Sequence, residues 1–91
     1  MRRAARVDSN QKEIVQALRK AGASVAHTHT IGQGFPDIVV GHRGKNLLLE
    51  IKDGSLTPSR RKLTEDEYEF HEAWRGQINI VESVEDALGL L

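Results

Sequence analysis

The sequence contains no cysteine, which excludes a disulfide framework, a thiolate metal site and a cysteine nucleophile, and suits a reducing compartment. No apolar run approaches the length of a membrane span, and the basic N-terminus lacks the apolar segment of a signal peptide, so the expected location is the cytoplasm. Neither sign of charge is in excess: 13 Lys and Arg offset 13 Asp and Glu, so bulk charge does not announce a nucleic-acid partner. Internal repeats and low-complexity segments are also missing. What remains is 91 residues, enough for one small domain and not two, with a modest core of the kind that often gains from oligomerisation.

The charges that are present are unevenly spread. Positive charge gathers in Arg2, Arg3 and Arg6, in Arg43 and Lys45, and in Arg60, Arg61 and Lys62; negative charge collects at 65–72 and 82–86. A basic side on a small neutral domain attracts phosphate locally, although each cluster alone is equally consistent with a solvated surface. Residues 1–7 read as a basic arm, ahead of a single domain over 8–91.

The stretch Gly34-Phe35-Pro36-Asp37-Ile38-Val39-Val40, then a short turn and Leu47-Leu48-Leu49-Glu50-Ile51-Lys52, organises the chain. Two short apolar runs bounded by turn residues predict a hairpin. Side chains alternate along a strand, so Glu50 and Lys52 share one face while Leu49 and Ile51 point to the core, and Asp37 opens the neighbouring strand within reach of that face. Paired carboxylates repel unless a positive charge sits between them, and such oxygen donors suit Mg²⁺ or Mn²⁺. A lysine beside them can stabilise an attacking hydroxide or a developing oxyanion, as metal-assisted phosphodiester hydrolysis requires. The plain alternative is a same-face Glu50–Lys52 ion pair on a half-exposed strand.

Around this hairpin, Asp8 or Asn10 caps a first helix, with Asn10 and Glu13 at capping-box spacing and Ile14, Val15, Leu18 and Ala21 as its apolar stripe before Gly22. Glu13 falls at the flank of that stripe, so it is either a capping carboxylate or a group facing the metal site. Ser24 to Ile31 alternates as a first strand with Val25, His27, His29 and Ile31 on one face. Two histidines at i, i+2 lack a third soft ligand, which argues against a transition-metal site, while His29 is placed to approach a phosphate. Thr30 to Phe35 forms a glycine-containing loop into the site.

After Asp53-Gly54, the segment Ser55 to Leu63 is a basic loop whose Arg60, Arg61 and Lys62 are candidate DNA-backbone contacts, as are Arg2, Arg3 and Arg6. Thr64 and Glu67 form a second capping box, flanked by Leu63 and Tyr68 at staple positions, so a helix is expected from Glu65 to Arg75 with Phe70, Ala73 and Trp74 as its core face. Gln77 to Val81 reads as a strand with Ile78, Ile80 and Val81 inward. Ser83 and Asp86 cap a last helix carrying Val84, Ala87, Leu88 and Leu91. This order of elements fits an α/β sandwich with a mixed sheet flanked by helices.

Pro36-Asp37 followed by Glu50-Ile51-Lys52 resembles the signature of the PD-(D/E)XK nuclease superfamily. Within it the whole chain resembles the short, free-standing VRR-NUC domains of phages, including the runs Leu56-Thr57-Pro58-Ser59-Arg60-Arg61-Lys62-Leu63-Thr64 and Phe70-His71-x-x-Trp74-Arg75-Gly76. The resemblance implies a restriction-endonuclease-like αβββαβ core, and Mg²⁺ or Mn²⁺ held by Asp37, Glu50 and the backbone carbonyl of Ile51. It also implies Lys52 as a catalytic group and Glu13 as an acidic residue of the first helix near the metal. The implied activity is a divalent-metal-dependent endonuclease acting as a homodimer on branched DNA such as a Holliday junction, in the host cytoplasm if phage-encoded. A nicking or restriction-like nuclease on duplex DNA and a non-catalytic DNA-binding module remain as alternatives. Relatives commonly carry a Gln early in the second helix that points at the site; Tyr68 stands at that place here.

Overall fold

The computed structural model describes residues 9–91; the basic arm with Arg2, Arg3 and Arg6, and the alternative cap Asp8, lie outside the described residues. The elements run α1 (Gln11–Lys20), β1 (Ser24–His27), β2 (Ile38–His42), β3 (Lys45–Ile51), α2 (Glu65–Ala73), β4 (Asn79–Val81) and α3 (Val84–Leu88), with a 3₁₀ turn at Pro58–Arg60. Strands lie in the order β1-β2-β3-β4. The first three pair antiparallel and β4 runs parallel to β3, so the sheet is mixed and the α/β expectation holds. Among the described residues no helix is long and apolar enough to cross a membrane.

The β2–β3 hairpin fixes the register of everything else. His42 pairs with Lys45, leaving a two-residue turn in which Arg43 and Gly44 have φ of 51° and 79°. Two successive positive φ values define the turn that matches the right-handed twist of flanking strands. The resulting register sets Ile38 against Leu49 and Val40 against Leu47, so alternate residues of both strands project to the same side. Ile38, Val40, Leu49 and Ile51 are buried there with Ile14, Val15, Leu18, Val81 and Ala87. Helices α1 and α3 pack on each other over this face. The opposite face carries Val39, Leu48, Glu50 and Ile80, and Ile80 is 45% exposed.

Several local expectations are corrected. Asn10 is the N-cap residue of α1 but its side chain makes no cap bond; its amide donates instead to the carbonyls of Lys52 (3.1 Å) and Glu82 (3.2 Å). That tertiary use outcompetes the capping box with Glu13. The end of α1 follows expectation, with Gly22 at φ 99° and the Gly22→Arg19 and Ala23→Leu18 bonds of a Schellman motif, although Ala21 is exposed. Strand β1 ends at His27: the Thr28 N–H still continues the ladder to the carbonyl of Asp37, but the Thr28 carbonyl accepts the Ile31 N–H in a turn, so His29 and Ile31 lie in a loop.

Helix α2 forms with the predicted Thr64–Glu67 capping box but ends at Ala73, since Trp74 is extended (φ −73°, ψ 126°). None of its residues is buried. Phe70 is half-buried, Ala73 exposed and Trp74 40% exposed, because α2 stands beside the 32–36 loop and not on the strands. Its anchors are a ladder in which Phe35 meets Phe70 edge-on at 5.4 Å and Phe70 stacks on Trp74 at 5.1 Å, and the close approach of Gly34 to the backbone of Asp66. In β4 only Val81 is buried; Ile80 faces the open side, paired with Glu50.

Two glycines test this account. At Gly44 a Cβ meets nothing, so Gly44→Ala suffers only its positive φ, a cost of about 1–2 kcal/mol. A Cβ at Gly34 (φ 81°) would in addition collide with the Asp66 carbonyl, so Gly34→Ala is expected to cost roughly 2–5 kcal/mol in urea unfolding. Equal losses for the two variants would refute the tight packing of the loop on α2.

Candidate active site

The site is assembled from strand ends that are fixed before any side chain is considered. Lys52 N–H donates to the Val81 carbonyl at 3.0 Å and the Lys52 carbonyl accepts from Asn10, so the backbone that follows β3 is held from both sides. Continuing the β2–β3 register one residue past Ile38 sets Asp37 across from Glu50. Thr28 locks this corner, donating its backbone N–H to the Asp37 carbonyl and its hydroxyl to the carbonyl of buried Pro36 at 2.7 Å. Asp37 Oδ2 in turn accepts the Ile51 N–H at 2.7 Å, which places the Ile51 backbone beside the acids.

Glu50 is 1% exposed, and its Oε1 is buried without a hydrogen-bond partner. Its Oε2 lies 3.8 Å from Lys52 Nζ, while that ammonium donates at 2.7 Å to Glu67 Oε1. Burial first, and then the charge of Asp37 and the prospect of a hydrogen bond to it, push the Glu50 carboxyl up to about 10; the nearby Lys52 opposes this only in part. Without a cation, Glu50 therefore carries a proton at neutral pH. Glu67 behaves oppositely: burial would raise it, but hydrogen bonds from Lys52 and the Thr64 N–H (2.9 Å), with the lysine charge, outweigh burial and hold it low.

The sequence-derived candidates separate here. Asp37, Glu50 and Lys52 meet in an open cleft of about 520 Å³ that also includes Glu67, Arg60 and Lys62. Glu13 is exposed and lines a different depression, beside Asp53 and Glu82, so α1 does not bring it to the acids. Arg61 turns away: its Nη1 donates to the carbonyls of Gly54 and Leu56, and its Nε is 3.4 Å from Glu82 Oε2. It staples the loop. His29 does not line the cleft; it meets His27 edge-on at 6.2 Å.

Glu67 was missed as a site residue because Thr64-x-x-Glu67 is fully explained locally as a capping box. The available signal is positional, since a carboxylate at the third residue of a helix reaches back past the N-cap toward whatever precedes the helix. Tyr68, where the resemblance leads one to expect a Gln facing the site, is exposed. His71, one turn beyond Glu67, has a buried Nε2 without a partner, and burial lowers its pKa.

Among the described residues no cluster of three or more His, Cys, Asp or Glu side chains forms a ready metal cage. The donor chemistry nevertheless fits a hard cation: an orphaned buried carboxylate oxygen on Glu50, a second carboxylate on Asp37 and a nearby backbone carbonyl. Such a set leaves coordination positions to water and phosphate, as Mg²⁺ prefers.

A pH dependence follows. Glu50 is raised from 4.5 to about 10, so between these values the folded state binds a proton that the unfolded state releases. Its contribution to stability is full below the unfolded pKa and is lost as pH rises toward the folded one. Glu67 and His71, both lowered, act at lower pH. In EDTA, urea unfolding from pH 7 to 9 should show falling stability for wild type and a flatter profile for Glu50→Gln; parallel profiles would exclude a buried, protonated Glu50.

Neither the protein-family models nor the curated proteins give a match to this chain. Among solved structures, one described as "VRR_NUC domain" is similar over 88% of this chain and 87% of its own length, with a TM-score of 0.64 and 23% identity. The sheet, its flanking helices and the order of elements therefore give this chain the fold of that VRR_NUC domain.

Proposed function

We propose that the protein is a divalent-metal-dependent endonuclease that hydrolyses DNA phosphodiester bonds. The observation that carries this reading is Glu50, a buried carboxylate with an unpartnered oxygen beside Asp37 and Lys52, in a cleft that also holds Arg60 and Lys62. Burying an ionised carboxylate in this way is costly unless a cation satisfies it. Likeness to a solved VRR_NUC domain supports the same class.

In the reaction, water adds at phosphorus and the bond to the leaving sugar oxygen breaks. Asp37, Glu50 and the Ile51 carbonyl would hold Mg²⁺ or Mn²⁺, which when bound supplies charge stabilisation at the phosphate and lowers the pKa of water. Lys52, fixed by its backbone bonds and by Glu67, presents its ammonium to the charge that develops on the phosphate oxygens. Arg60 and Lys62 hold flanking phosphates of the strand without reading sequence. The sequence resemblance extends the proposal to branched DNA and to a homodimer. Exposed Ile80 on the face that α1 and α3 leave open, together with exposed Tyr68 on α2 and Trp74 at its end, supports association.

Three measurements test this. Mg²⁺ or Mn²⁺ at about 100-fold excess over Kd should add about 2.7 kcal/mol of stability by linkage, and Asp37→Asn or Glu50→Gln should abolish the gain. On a four-way junction, with duplex, nicked and single-stranded controls, Lys52→Met should slow single-turnover cleavage by about 10²–10³-fold while affinity in Ca²⁺ changes little. Wild type that binds but never cuts would leave a DNA-binding module. Arg60→Ala and Lys62→Ala should each lower the salt slope of binding by about one, whereas Arg61→Ala should lower the melting temperature and spare the slope.

A further inference from the structure

Among the described residues two carboxylates approach the Lys52 ammonium, and the nearer is not the neighbour on its own strand. The ammonium sits 2.7 Å from Glu67 Oε1 and 3.8 Å from Glu50 Oε2. The oxygen that takes it, Glu67 Oε1, also accepts the Thr64 N–H at 2.9 Å, while Glu67 N–H donates to the Thr64 hydroxyl at 3.2 Å. Glu67 is thus immobilised by the helix start, and that start is held against the loop before Asp37 by the contact of Gly34 with Asp66. Glu50, drawn less strongly, keeps Oε1 bare.

We propose that Glu67 is a positioning residue that holds Lys52 away from Glu50, so that the Glu50 carboxylate stays open to a cation and the ammonium stays aimed at the phosphate. This rests on the nuclease reading above and adds to it a residue outside the Pro-Asp and Glu-x-Lys pattern. Charge balance favours the arrangement. Asp37, Glu50 and Glu67 ionised against one lysine leave two negative charges, which a divalent ion cancels. With Glu67 neutral, its hold on Lys52 is gone and Glu50, 3.8 Å from the ammonium, lies within ion-pair reach, where a closer pair would compete with the cation.

Gln is accepted at the third position of a capping box, so Glu67→Gln keeps the helix start and removes the charge. The metal concentration at the midpoint of the thermal shift should rise about tenfold, and single-turnover cleavage should slow about tenfold or more, the scale of losing a group that orients a metal site. DNA affinity in Ca²⁺ should change far less. In a Lys52→Met background, Glu67→Gln should leave the metal midpoint unmoved, because there is no ammonium to displace. Thr64→Ala, which removes only the hydroxyl cap, should lower the melting temperature with the metal midpoint held within about threefold.

The inference falls if Glu67→Gln matches wild type in both midpoint and rate, if its effect persists undiminished without Lys52, or if Thr64→Ala reproduces it. Wild type that takes no cation and cuts no DNA overturns the nuclease reading and this inference together. Wild type that does both while Glu67→Gln is indistinguishable from it overturns the inference alone.

Discussion

A carboxylate is buried at the end of a central strand next to another carboxylate, and most of the molecule is arranged around that strain. Water cannot solvate Glu50, and Asp37 adds repulsion, so the group survives in the apo fold by retaining a proton. Such a site needs rigid surroundings, since a strand end free to fray would let water in and relieve the strain. The anchors are correspondingly redundant. Asn10 reaches from α1 to the ends of β3 and β4, Asp37 takes the Ile51 N–H, and Thr28 pins Pro36 and Asp37.

The two faces of the sheet divide the labour. One is a conventional aliphatic core under α1 and α3, in which each fully buried Leu, Ile or Val contributes about 1.5–3 kcal/mol. The other is chemical at one end and half-exposed elsewhere. Helix α2 belongs to neither layer. It is attached through an aromatic ladder and a glycine contact to the loop that carries Asp37, so what it positions is the mouth of the cleft.

Much of this was legible in the sequence where a local rule and the tertiary need coincide. Period-two alternation put Glu50 and Lys52 on one face and Ile51 on the other, two apolar runs with a short turn between them marked the hairpin, and Thr64 marked the start of α2. Legibility failed where long-range partners recruit groups with a good local explanation. Asn10 has the right spacing for a capping box, yet its amide serves two distant carbonyls. Glu67 does form its box, and the same oxygen also holds a lysine from another element. Arg61 sits between Arg60 and Lys62 in an apparently uniform basic run, but the 3₁₀ turn at Pro58–Arg60 rotates it onto the loop's own carbonyls. No linear pattern encodes such rotations.

The side chain of Gln77 accepts the Leu48 N–H at 2.7 Å and donates to the Leu48 carbonyl at 2.9 Å, as a peptide group of an adjoining strand would. Strand β4 begins only at Asn79, so without this amide the outer half of β3 would present a bare hydrogen-bonding rim beside half-exposed leucines. Rims of that kind recruit strands from other molecules and seed aggregates. One primary amide thus occupies the Leu48 groups of that rim and blunts it against β-addition beside an apolar strand near the surface.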